Sequence, residues 1–167
     1  MFWDLAVNSY HIPLNLGLAV LGGGAVGWNR ERSNHAAGLR TMMLVSLGAA
    51  AFAMAGLALS GDGSTAGLGS TSRVIQGIVG GIGFLGAGSI MRAGAHVKGV
   101  TTAAAIWATA GIGAAFGLGL YVLGATTVVL TMLILWLSPV EAKVFKRGNN
   151  RPVEDDRDGG RDGDSVV

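Results

Sequence analysis

Three histidines and ten acidic residues are this chain's candidates for metal or acid–base chemistry. His11, His35 and His96 are scattered, and none stands with an acid at a metal-ligand spacing. Six of the ten acids lie from Glu154 onward, and the others are Asp4, Glu31, Asp62 and Glu141. Magnesium takes oxygen ligands, usually including one or two carboxylates. Transport paths carry ionisable groups inside apolar segments, and no carboxylate falls inside an apolar run here. The absence of cysteine excludes disulfides and thiolate metal sites. No serine sits in a nucleophile motif. The expectation is a chain with no catalytic residue, no metal site and no cofactor, and so not an enzyme. One route for ions stays open, a filter of backbone carbonyls, which "GIGFLGAG" at 81–88 could supply.

The other chemistry is basic. Arg30, Glu31, Arg32, Arg40, Arg92 and Lys98 fall in the short polar stretches between apolar runs. Contacts with lipid headgroups would explain the cations, but anchoring does not need Glu31. The acid is expected to pair with Arg40 or Arg92 and tie two loops together. Thr41, Thr101 and Thr102 stand where apolar runs resume, as helix caps or as a polar patch facing a partner.

These residues need elements to position them. Half of the residues are hydrophobic and 13% are charged, against about 25% in a soluble domain. Runs of roughly 18 or more apolar residues read as membrane helices. Five are expected, at about 12–28, 41–60, 74–91, 99–116 and 120–137. They are read as helices because a lipid-exposed backbone must satisfy its own hydrogen bonds. The fold class is therefore an all-α integral membrane protein, a bundle of five transmembrane helices within a membrane domain over 1–147. The opening "MFWDLAVNSYHIP" lacks a basic start, so no cleaved signal peptide is expected.

The basic stretches at 29–40, 92–98 and after 138 all fall on one side of five spans, and basic loops mark the cytoplasm. The N-terminus is then outside and the C-terminus inside. Trp28 and Trp136 would lie at the inner interface, with Trp3, Tyr10 and Tyr121 at the outer one. Residues 148–167 are polar and Gly-rich, and read as a disordered cytoplasmic tail. The net charge of +2 reflects loops beside a membrane and implies no nucleic acid.

The segment "VIQGIVGGIGFLGAGSIMR" at 74–92 has six glycines: Gly77, Gly80, Gly81, Gly83, Gly86 and Gly88. Gly77 with Gly81, Gly23 with Gly27, and Gly113 with Gly117 each form a GxxxG pair. Small residues let helix backbones approach. Three readings follow: packing within the bundle, a broken helix lining a ligand site, and a homo-oligomer contact. The first places the third span at the centre of the bundle. Gln76, Ser46 and Ser89 are expected to make interhelical hydrogen bonds. Gln76 and the mid-span Trp107 belong in the bundle interior on this reading.

"GIGFLGAGSIMR" followed by "VKGVTTAAAIWATAGIGAAFGLGLY" resembles the MgtC/SapB family of bacterial inner-membrane proteins. "RER" at 30–32 and "AGLRTMMLVSLGAA" at 37–50 are similar as well, and the resemblance covers roughly 16–137. Two positions depart from the best-known virulence member: Ala108 stands at a cysteine and Thr101 at an asparagine. The resemblance implies about five membrane helices, a multi-pass place in the inner membrane, and a link to adaptation to low magnesium. It also implies action through helix contacts with a partner in the bilayer, such as a membrane subunit of ATP synthase. The competing expectation is a magnesium-linked transporter or channel.

Overall fold

The computed structural model describes residues 11–60, 65–93 and 96–148. Asp4, Trp3, Tyr10, Asp62 and the tail from 149 onward lie outside the described residues. Five helices follow one another: α1 (His11–Arg32), α2 (Leu39–Leu59), α3 (Thr65–Gly88), α4 (Val100–Gly117) and α5 (Tyr121–Gly148). Two of them, α2 and α4, are long and apolar enough to cross a membrane, and Tyr121–Leu137 is a shorter apolar helix.

α5 runs on to Gly148, past its expected end at about 137, and the chain differs from expectation in two further places. α3 begins at Thr65, inside the Gly/Ser/Thr stretch that reads as a loop. The hydroxyls there are not surplus polarity: Ser60 donates to the Gly56 carbonyl at the end of α2, and the Thr71 hydroxyl lies within hydrogen-bond reach of both Ser60 and that carbonyl. The second difference is the connection "RAGAHVK". It forms a two-stranded ribbon, β1 (Met91–Ala93) against β2 (His96–Lys98), with Arg92 opposite Val97.

Residues up to Trp136 form one compact unit, and those from Leu137 form a second. Within the first unit α2 packs on α1, α3 and α4, and α4 also packs on α1 and α3. Glycine sets these approaches. A Cβ on Gly113 would stand 2.0 Å from the Ser46 carbonyl oxygen, and one on Gly117 2.5 Å from that of Ala50. On the same stripe of α2, a Cβ on Gly23 would meet the Met42 oxygen at 2.6 Å. The backbones of α1 and α4 therefore lie directly on α2. Around that seam the core is small: Ala19, Val26, Ala50, Ile112 and Phe116 cluster on one side, Ala37, Met42, Ala105 and Ile106 on the other.

The central helix is thus α4, not the glycine-rich α3. α4 carries buried residues along its whole length, whereas most of α3 beyond Gly69 is exposed or half-buried.

Candidate functional site

The chain leaves α1 through Arg30, Glu31 and Arg32. Successive helical residues turn about 100°, so the two arginines face opposite ways. Arg32 is exposed, whereas Arg30 is 2% exposed. The Arg30 guanidinium donates from Nη2 to the Thr102 hydroxyl, which lies 72 residues on in the first turn of α4. Its Nε is buried with no hydrogen-bond partner among the described residues. Arg30 lies beyond the expected span at 12–28, and desolvation holds its pKa below the usual arginine value. A helix N-terminus carries positive partial charge, so the dipole of α4 does not favour the cation. The Thr102 hydroxyl does.

Glu31 turns outward. Its Oε2 accepts the Leu39 backbone N–H at 2.9 Å, the first amide of α2, where a negative charge suits the helix dipole. Gly38 makes room for it, because a Cβ there would stand 1.8 Å from Oε2. Glu31 was expected to tie two loops together through Arg40 or Arg92; the bond shown is to backbone and lies within the single connection from α1 to α2. The threonine caps are also corrected. Gly38 and Gly99 occupy the N-cap positions of α2 and α4, and neither helix has a side-chain cap at that position. Gly99 is needed there: its φ is +92°, and a Cβ would fall 2.0 Å from the Ser89 oxygen. Thr41 and Thr101 are exposed, as are Arg40, Arg92 and Lys98.

The opposite ends of the helices have their own ties. The Tyr121 hydroxyl donates to Asn15 Oδ1 at 2.8 Å, joining the starts of α1 and α5. Ser46 donates to the Ala19 oxygen at 2.7 Å, an interhelical bond of the kind expected for it. Ser89, just past α3, instead bonds back to the last turn of that helix, at the Gly86 oxygen. Asn15 and Thr109 are buried polar groups that the sequence reading passed over. Thr109 was visible as a hydroxyl inside an apolar run. It donates back to the Ala105 oxygen at 2.8 Å.

The glycines of α3 split. Gly86 is buried, and a Cβ there would come within 3.5 Å of Ala103 on α4. At Gly77, Gly80, Gly81, Gly83 and Gly88 an added Cβ would meet nothing within 4 Å. Gly77, Gly81 and Gly88 turn toward α2, Gly80 and Gly83 lie farther round the helix, and the neighbouring Phe84 is 82% exposed. Gln76 is exposed and, among the described residues, donates to Ser72 of its own helix at 3.4 Å. Trp107 is 55% exposed. Both were expected inside, and both are on the outside.

An apolar cavity of about 620 Å³ runs between α2 and α3, past Gly48, Phe52, Gly77 and Gly81. A second, of about 350 Å³, lies toward Thr41 and Ser89, and Val45 and Leu85 line both. The two form one furrow. Among the described residues, no group of three or more His, Asp or Glu side chains could hold a metal ion.

Comparison with known proteins places this architecture. The chain is 43% identical over 132 residues to protein SrpB of Synechococcus elongatus, covering 74% of this chain and 72% of that one. It is 45% identical over 140 residues to protein MgtC of Salmonella choleraesuis, covering 84% of this chain and 56% of that one. With protein MgtC of Brucella abortus it shares 38% identity over 148 residues, 86% of this chain and 60% of that one. The chain thus spans little more than half the length of these MgtC relatives. No solved structure matches it. The MgtC family model matches residues 16–143, and the chain belongs to the MgtC family.

Proposed function

We propose that the chain is a non-enzymatic, multi-pass inner-membrane protein that works through helix contacts with a membrane partner during adaptation to low magnesium. In this arrangement all five helices span the bilayer, with the N-terminus outside and the C-terminus inside. The basic residues at 30–40 and 92–98 support that orientation, as do the exposed Trp28 and Trp136. A membrane subunit of ATP synthase is the proposed partner, by family resemblance.

One observation carries the docking reading. Gly23 and Gly27 of α1 and Gly113 and Gly117 of α4 lie against the α2 backbone, whereas Gly77, Gly80, Gly81, Gly83 and Gly88 of α3 face open space. Among membrane helices, small residues mark surfaces where another helix approaches closely. The face of Gly80 and Gly83 is therefore assigned to the partner helix.

The test is co-purification of ATP synthase membrane subunits with the wild type and with Gly83→Leu. The site has room for the larger side chain, so expression should be unchanged while the partner is lost. Retention of the partner would remove this face from the mechanism. ATP-driven acidification of inverted vesicles gives a second readout. A signal lowered by the protein and restored by Gly83→Leu supports the regulator. An unchanged signal removes ATP synthase as partner and turns the search to magnesium flux in proteoliposomes.

A further inference from the structure

The furrow between α2 and α3 is separate from the Gly80 and Gly83 face, and its two ends differ. Along most of its length it is lined by aliphatic and aromatic groups such as Leu44, Phe52, Ile78 and Leu85. Polar side chains enter at one end only, where Thr41 and Ser89 line it. Its floor is open because Gly48, Gly77 and Gly81 leave space where a side chain would stand.

From Thr41 to Phe52 the furrow follows α2 for about 16 Å at 1.5 Å per residue. One leaflet of a bilayer core of about 30 Å is roughly 15 Å thick. The furrow therefore matches one leaflet in depth, with its polar end at the headgroup level. At that end Arg40 precedes Thr41, Arg92 follows Ser89 in β1, and Lys98 lies opposite Met91 across the ribbon. All three cations are exposed. Glu31, on the Leu39 amide, brings one negative charge to the same end, which the three cations outnumber.

From this we infer that the furrow holds one acyl chain of an anionic phospholipid, with the phosphate beside Arg40 at the polar end. Charge complementarity selects this occupant. A second copy of the chain would bring a second set of the same cations to the same end. A zwitterionic lipid would satisfy the apolar wall but gain less from the cations. The inference rests on the membrane arrangement proposed above, but not on the docking of a partner.

The test uses the full chain reconstituted in phosphatidylglycerol or in phosphatidylcholine of the same acyl chains, then released for native mass spectrometry. The expected result is one retained phosphatidylglycerol per chain, favoured over phosphatidylcholine. Arg40→Gln should reduce that preference roughly fivefold, the size of one juxtamembrane cation's attraction. Gly48→Leu with Gly81→Leu should fill the furrow and remove both lipids, while Gly83→Leu leaves retention unchanged. Equal retention of the two lipids overturns the inference, as does retention unaffected by the double variant. A dimer that disappears on Gly81→Leu would make a second copy the occupant and overturn it too. Release of the chain from membranes by alkaline carbonate would overturn the whole membrane arrangement. An embedded chain with no selective lipid overturns the furrow assignment alone.

Discussion

The hydrogen bond from the Arg30 guanidinium to the Thr102 hydroxyl joins the last turn of α1 to the first turn of α4. It anchors a buried cation between the C-terminus of α1, whose dipole favours it, and the N-terminus of α4, whose dipole opposes it. The two residues are therefore unequal partners. Removing the acceptor strands a charge, whereas removing the cation strands only a hydroxyl.

That asymmetry is measurable. Thr102→Val should lower stability by about 1.5–3 kcal/mol, the range for hydrogen bonds to charged groups, and Thr102→Ser should restore most of it. Arg30→Met should cost less than Thr102→Val, because replacing a buried charge by an apolar side chain is often neutral. Thermal unfolding in detergent decides the order. A costlier Arg30→Met would mean that the cation has a favourable role beyond Thr102.

Glu31 gives a second prediction from the same end. Its carboxylate serves as the cap that Gly38 cannot supply itself. Glu31→Ala should cost about 0.5–2 kcal/mol, as the loss of an N-cap does. Glu31→Asp should fail to rescue, since the shorter arm cannot span the same gap. Rescue by Asp, read as recovered melting temperature, would show that charge alone matters.

How far the sequence could carry these conclusions depends on the kind of pattern. Runs of apolar residues gave the five helices, because length and composition suffice for that. They did not give the inside of the bundle. A membrane helix is apolar on its lipid face as well as its packed face, so hydrophobic periodicity does not separate the two. Trp107 and Gln76 were misplaced for that reason. The three GxxxG pairs make the same point. Gly23 with Gly27 and Gly113 with Gly117 lie against α2, while Gly77 with Gly81 has the same spacing and no neighbour. Spacing says which residues share a face, not whether another helix reaches it. Arg30 and Arg32 likewise sit two residues apart in "RER", and only packing distinguishes the buried one.

Tyr121 and Asn15 offer a third prediction, at the far end of the bundle. Asn15 is buried, and the phenol is the partner shown for its side-chain oxygen. Tyr121→Phe keeps the ring and removes the hydroxyl. An amide left without a partner costs about 1–3 kcal/mol. The double variant Asn15→Leu with Tyr121→Phe should recover part of that loss, because both polar groups are then gone. A double-mutant cycle in thermal unfolding measures the coupling, and strict additivity would mean that the bond contributes nothing.

The glycines supply the last prediction. Gly113→Ala would push a Cβ to 2.0 Å from the Ser46 carbonyl oxygen. That atom is backbone and cannot rotate away, so α4 must move off α2. The shift would also disturb Ser46, whose hydroxyl bonds to α1, and a protein that expresses poorly or melts much earlier is expected. Gly83→Ala meets nothing within 4 Å and replaces a poor helix former by a good one. The gain is about 1 kcal/mol in water, so Gly83→Ala should fold at least as well as the wild type. Side-by-side melting of the two variants separates glycine that packs from glycine that is left open. If Gly113→Ala melted like Gly83→Ala, α4 would not lie on the α2 backbone, and the central place given to α4 would fall with it.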